Sequence, residues 1–343
     1  MEYDREGPRL PTPRGPVSEA VGARLRGAGP LPSSGAVAAA PVYGDDLQLA
    51  LYQCYELHYR GFAGVCPDLE WDPDLLGVRG AMERRFLAAL RAGTPVHASV
   101  ADAVGALLVE PVHGEGVSHF LRDEGELWQL REYAAQRSLY HLKEADPHAW
   151  VLPRLWGRSK AAMAAVEFDE YGGGRADRVH ARLFADLMTD LGLDTTYGAH
   201  LDAASAECLA TVNMMSLFGL HRALRGALVG HFAAVEITSS PGSRRLAEAM
   251  RRTGAGPAAE HFYDEHVEAD AVHEQIVRHE VIDGLLEQEP GLAADVVFGI
   301  DATGYLEELF GARLLADWRA GRSSLRTALR AAPPVRAGSP HTP

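Results

Sequence analysis

The sequence is short of lysine, of cysteine and of positive charge in general. Lys143 and Lys160 are its only lysines, and 33 basic residues stand against 47 acidic ones for a formal net charge of −14. That balance argues against a sequence-independent grip on nucleic acid or on an anionic membrane surface. Cys54, Cys66 and Cys208 form no CxxC pair, which excludes a disulfide framework and a thiolate zinc site and fits a reducing cytoplasm. No apolar run approaches the ~18 residues needed to span a bilayer. Nothing ahead of the "AAAP" at residues 38–41 forms the apolar core of a signal peptide. The expectation is a cytoplasmic protein with no membrane and no nucleic-acid partner.

Strand-like alternation is nearly absent, and helical periodicity takes its place. "DDLQLALYQCYELHYRGF" sets Leu47, Leu51, Cys54, Tyr55 and His58 near one face, with Asp45 and Asp46 at the helix start. Further helices are read at about 77–92, 99–109, 117–144, 154–171, 176–191, 201–238, 243–252, 257–287 and 303–320. Pro95, Pro111, Pro147, Pro153, Pro241, Pro257 and Pro290 fall between these segments or at their first positions. The chain therefore reads as all-α. Residues 1–42 and 326–343, rich in Pro, Gly and Ala without period, are expected to be disordered tails. Residues 43–115 form an N-terminal helical region, and 116–325 the main domain.

The richest segment for chemistry is "EHFYDEHVEADAVHEQ" at residues 260–275, where His266, Asp270 and His273 are spaced i, i+4, i+7. At about 100° per residue they project within roughly 60° of one another. Two imidazoles and a carboxylate on one stripe suit a first-row transition metal such as iron(II), although a solvated face in a His-rich chain would also align them. Glu236 lies in the apolar stretch "LVGHFAAVEITSS", where a carboxylate must be paired or metal-bound to avoid a costly burial. Glu144 ends a helix in "HLKEADPHAW". Glu170 and His180 flank "YGGGRADRV", whose three glycines imply a packing or functional reason. On one straight helix these two would lie about 15 Å apart. Either the glycines fold Glu170 back or Glu170 is no ligand. His58, His221 and His231 read as packing or surface histidines.

These phrases, with "LYQCYELHYRGFAGV", "KEADPHAW" and "DEYGGGR", resemble the haem-oxygenase-like diiron oxidases, also called iron-containing redox enzymes, over about residues 45–325. The resemblance implies a haem-oxygenase-like helical bundle with an N-terminal helical extension. It also implies two Fe(II) ions held by Glu144, Glu170, His180, Glu236, His266, Asp270 and His273, with O2 as co-substrate. The four carboxylates would cancel the charge of two Fe(II) ions, and Glu144 or Glu236 is expected to bridge them. A carboxylate ahead of the histidine at position 180 occurs in the amine N-oxygenase branch of the family, so N-oxygenation of an amine or amino acid is the leading expectation. Oxidative C–C cleavage or desaturation of an amino acid or fatty acid is the alternative. A small-molecule substrate, an external electron donor and a homodimer follow from the same resemblance.

Other scaffolds fit less well. A ferritin-like bundle needs two Glu-x-x-His elements, and Glu110 to His113 is the sole such spacing, interrupted by Pro111. His273-Glu274 is not followed by a zincin histidine two residues on, and neither a dinucleotide loop after a strand nor a Gly-x-Ser-x-Gly elbow occurs. Haem on the same fold would leave four interior acids without a role. A non-catalytic helical binding protein and a cofactorless helical enzyme are the readings from other classes.

Overall fold

The computed structural model describes residues 7–110 and 114–329. Among them no strand is formed, and helices account for the architecture. They are α1 Pro16–Leu25, α2 Ser34–Ala39, α3 Asp45–Glu56, α4 Pro73–Gly93, α5 Val100–Leu107, α6 Val117–Asp123, α7 Leu127–His141, α8 Asp146–Ala149, α9 Gly157–Glu170, α10 His180–Asp190, α11 Ala206–Leu220, α12 Arg225–Thr253, α13 Pro257–Ile276, α14 Asp283–Gln288 and α15 Ala293–Arg319. A π-helical turn, Val277–Ile282, joins α13 to α14, so residues 257–288 run as one helical rod.

Local chemistry sets many of the boundaries. Asp72 accepts from Leu75 N at 2.8 Å with Pro73 at the first helical position, and Ser205 accepts from Cys208 N at 3.2 Å. Each satisfies an orphan N–H of a first turn. Gly254, in the left-handed region at φ 66, ends α12. The expected helix over 117–144 is divided at Gly125, where a Cβ would meet Leu121 Cα at 2.7 Å.

Two expectations at Pro241 and at the start of α15 are corrected. Pro241 lies inside α12 rather than between helices, and the break falls at residues 221–224 instead. The missing N–H is tolerated because α12 packs along both α13 and α15, and Ser240 Oγ donates to Val267 O across that contact at 3.2 Å. The last helix begins at Ala293, ten residues before the position expected. Val296, Val297, Phe298 and Ile300 are all buried, so this stretch shows no amphipathic period.

The expected N-terminal tail is also corrected for residues 7–42. Val17, Val21 and Leu25 make a buried stripe on α1, which packs on α3. Asp46 of α3 accepts from Val17 N at 2.9 Å and from Ser18 N at 2.7 Å. The cap of α1 thus comes from a residue remote in sequence, and Pro- and Gly-rich composition concealed the stripe. At the other end, Arg326 N donates to Ala203 O at 3.0 Å and its guanidinium pairs with Asp45. Residues 1–6 and 330–343 of the expected tails lie outside the described residues.

One buried apolar cluster draws residues from α1 through α15. At its centre α12 and α15 cross backbone to backbone. A Cβ on Gly230 would lie 2.0 Å from Val296 O, and one on Gly299 2.0 Å from Ala227 O, so only glycine permits the approach at either position. Among the described residues no helix is long and apolar enough to cross a membrane.

Candidate metal centre

Five segments carry the seven acidic and histidine residues singled out in the sequence. Glu144 follows the end of α7 by three residues, Glu170 is the last residue of α9, and His180 is the first of α10. Between the last two, Gly172, Gly173 and Gly174 all take left-handed backbone at φ 74, 61 and 79. A Cβ on Gly172 would stand 2.7 Å from Arg178 C and Val179 N. The chain therefore doubles back, and His180 Nδ1 lies 2.8 Å from Glu170 Oε2. Glu236 projects from the middle of α12. His266, Asp270 and His273 share one face of α13, as their spacing predicts.

All seven side chains are buried and fall into two groups. The first is Glu144, His180 and His266; the second is Glu170, Glu236, Asp270 and His273. Within each group the donor atoms lie within 4.8 Å of one another. His266 Nε2 is 4.0 Å from Glu144 Oε1. His273 Nδ1 faces Glu236 Oε2 at 3.1 Å, Asp270 Oδ1 at 3.5 Å and Glu170 Oε1 at 3.6 Å. The carboxylate lying between the groups is Glu170, with one oxygen toward His180 and the other toward His273. The sequence reading expected Glu144 or Glu236 in that place; each instead belongs to a single group, because the glycine turn brings Glu170 to the middle.

Neighbouring residues orient these groups, and the sequence reading missed them. His141 donates from Nδ1 to Glu144 Oε2 at 2.9 Å, leaving Oε1 turned toward His266. Ser239 Oγ donates to Asp270 Oδ2, leaving Oδ1 turned toward His273. Asp169 Oδ2 lies 3.3 Å from His273 Nε2. A weak signal existed for two of the three: His141 is one helical turn before Glu144 and Asp169 adjoins Glu170. Ser239 had none, since its partner lies on another helix.

The charge balance is strained without a cation. Burial works against ionisation of Glu144, yet the nearby His141, with His266 and His180 beyond, takes it down to about 2. Burial, with Glu170 and Asp270 adding repulsion, pushes Glu236 up to about 8. Burial disfavours a charged His180 and a charged His273, but the carboxylates outweigh it. Glu170 raises His180 to about 9, and Asp270 and Glu236 raise His273 to about 11. Protons on imidazole and carboxyl thus offset the acids where a metal would otherwise do so. Glu167, one turn before Glu170, is buried with neither carboxylate oxygen partnered; burial and the acids around it push it up to about 9.

The donor set fits iron. His266 Nδ1 donates to Phe262 O at 2.7 Å, which fixes its tautomer and leaves Nε2 as a bare, buried lone pair with no hydrogen-bond partner. This backbone anchor on the far nitrogen is the usual support of a metal-binding imidazole, and Asp169 on His273 is its carboxylate counterpart. Carboxylate and imidazole donors without thiolate suit iron(II) or manganese(II) over structural zinc.

A cavity of about 780 Å³ reaches the two groups. Glu144, Glu170, Glu236, His266 and Asp270 lie in its wall, and so do the aromatic rings of Tyr140, Phe262, Tyr263 and Phe310. His58, His221 and His231 stand apart from both groups, paired with Glu70, Glu83 and Thr303 respectively.

Residues 131–308 match a protein family described as iron-containing redox enzymes. The match spans more than half of the chain and includes all seven residues of the two groups. No curated protein matches the chain. The chain belongs to that all-α, haem-oxygenase-like family of iron-containing redox enzymes.

Proposed function

We propose that this iron-containing redox enzyme holds two Fe(II) ions and uses O2 to oxidise a small molecule, with N-oxygenation of an amine or amino acid as its reaction. The observation that carries this reading is the position of Glu170, whose two oxygens face different ligand groups. Glu144, His180 and His266 would hold one ion, Glu236, Asp270 and His273 the other, and Glu170 would be shared. When bound, iron supplies the electrons and the Lewis acidity that dioxygen reduction requires. An external electron donor completes the reaction.

The protein's own part is orientation and an apolar setting. His141 and Ser239 each occupy one oxygen of a ligand carboxylate, so the other oxygen is aimed before any ion arrives. Phe262 and Asp169 do the same for His266 and His273. Such anchoring keeps ligand geometry from relaxing during turnover. The rings of Tyr140, Phe262, Tyr263 and Phe310 give part of the cavity an apolar wall, and apolar surroundings strengthen charge interactions near them.

The apolar part of that wall also favours a second reading, oxidative C–C cleavage or desaturation of a substrate with an alkyl chain. Anaerobic Fe(II) titration followed by O2 and a panel of amines, amino acids and fatty acids, with mass spectrometry of products, separates the two. The expected result is two irons per chain and a hydroxylamine or nitro product. An olefin product favours the second reading, and failure to bind iron defeats both.

A further inference from the structure

We propose that the ion pair between Arg137 and Glu307 binds the head group of an amino-acid substrate, its α-carboxylate on Arg137 and its α-ammonium on Glu307, with the substrate's side chain directed toward the metal centre. The inference deepens the function proposed above and rests on it for where the reaction takes place, whereas the head-group contact stands on the cavity alone.

One face of α7 lines that cavity. Tyr133, Arg137, Tyr140 and His141 lie in the wall, and Glu144 follows just beyond the helix; the spacing of four from Tyr133 to Arg137 to His141 keeps them on one stripe. His141 is the residue that orients Glu144. Arg137 stands one turn before it, about 6 Å along the helix axis. From α15, Glu307 accepts from Arg137 Nη1 at 2.8 Å with one oxygen and from Nη2 with the other. The guanidinium carbon lies 4.9 Å from the Phe310 ring centroid and 5.2 Å from that of Tyr133, so aromatic faces help to hold the fork in place.

The pair is open to a ligand. Its side chains keep 20% and 36% of their surface exposed, and both residues lie in the cavity wall. Lys143 and Glu56, by contrast, form a pair that solvent does not reach. Pairing uses one N–H on each terminal nitrogen of Arg137 and leaves a second on each, while each Glu307 oxygen keeps a further lone pair. Burial works against ionisation of Glu307, but Arg137 outweighs it and holds the carboxyl below its ordinary range. Both partners are therefore charged.

Charge balance selects the ligand. The pair is neutral as it stands, so a lone cation or a lone anion brought against it leaves an uncompensated charge in the cavity. A zwitterion adds no net charge, and its two groups complete a ring of alternating sign with the pair. Because the α-ammonium is then engaged at Glu307, the atoms presented to the metal centre belong to the side chain. Under the N-oxygenation reading the oxidised nitrogen is a side-chain nitrogen.

Calorimetry on the full chain, loaded anaerobically with Fe(II), compares L-norleucine with n-pentylamine and hexanoate, which keep its alkyl chain and lack the carboxylate and the ammonium respectively. Wild type is expected to bind norleucine about tenfold more tightly than either, and R137M/E307L, retaining its iron, to lose that preference. Removing both charges together avoids the lone charge that either single variant would leave. A chelate of norleucine on iron would also give a preference, but one that survives in R137M/E307L. Such survival, equal binding of the three by wild type, or no binding of norleucine overturns the proposal. If the double variant fails to hold iron, R137K decides, since it keeps the charge and loses the fork. It is expected to weaken norleucine severalfold and leave pentylamine unchanged; an unchanged norleucine affinity overturns the proposal. An olefin product in turnover would defeat the N-oxygenation reading and leave the norleucine preference standing, so the two failures are distinguishable.

Discussion

Lys143 Nζ donates to Glu56 Oε2 at 3.1 Å, and neither side chain is reached by solvent. The pair ties α3 to the residue next to Glu144, so the N-terminal helices hold one wall of the metal centre. Tyr197 donates its hydroxyl to the other Glu56 oxygen at 2.7 Å, and Lys143 lies 3.8 Å from the Tyr59 ring centroid. Burial lowers the lysine's pKa while Glu56 opposes the shift. Removing one member leaves an uncompensated charge in the core. K143M is expected to cost about 3–5 kcal/mol in urea unfolding, with the K143M/E56L pair recovering most of it. A loss below about 1 kcal/mol for K143M would show that the pair is not tying the two parts together.

Gly172 is required twice over, by its φ of 74 and by the backbone a Cβ would strike. Gly192 shares the left-handed backbone at φ 66 but has open space around it. G192A is expected to cost about 1 kcal/mol. G172A is expected to cost more and to lower iron stoichiometry, because the turn carrying Glu170 to His180 opens. Equal stability losses and full iron loading in both variants would disprove the role of the turn.

If Glu170 joins the two ions, E170A should load fewer than two irons per chain and lose most of its oxidation activity. E170Q keeps the shape and loses the shared charge, so it should fall between. Iron content and product yield unchanged in E170A would end the argument from Glu170 to N-oxygenation.

The raised carboxyl of Glu167 has a defined pH signature in metal-free protein. Its folded value is about 9 against an ordinary 4.5. Below the ordinary value both states are protonated and the group contributes nothing. As pH rises toward 9 the unfolded chain ionises first, so folding is progressively disfavoured, by up to about 1.4 kcal/mol per pH unit. E167Q should therefore gain on wild type between pH 5 and 9 and show no growing difference below pH 4. A difference curve that is flat from pH 4 to 9, measured by denaturant unfolding, would place Glu167 ionised in the folded state.

Metal binding should also change dynamics. Four carboxylates converge on His266–His273 of α13, directly before the π-helical turn Val277–Ile282. Two Fe(II) ions would neutralise them, whereas the metal-free centre keeps part of the repulsion. Amide exchange over residues 260–282 is expected to slow on anaerobic iron loading. Identical exchange in both states would contradict this.

Much of the site was legible because its logic is local. His266, Asp270 and His273 had to share a face once α13 formed, since 3.6 residues per turn leaves no other outcome. Glu236 was conspicuous because a carboxylate in an apolar helix demands a partner. The helix count was blurred where local pattern fails. Fully buried Val296–Ile300 has no amphipathic period, α1 is capped by Asp46 of α3, and Pro241 is carried through by packing on α13 and α15.

The amino-acid order by itself determined an all-helical chain, one face for His266, Asp270 and His273 and the need of Glu236 for a partner, because periodicity and the cost of burying charge act within a few residues of each position. Glu144, Glu170 and His180 joined the set of seven through the family resemblance. Only the tertiary structure decided how those seven divide into two groups and that Glu170 stands between them. Each of these depends on where separate helices meet. A glycine turn reverses α9 onto α10, and two glycines let α12 and α15 touch, and no spacing along the chain encodes the distance between groups brought together across such contacts.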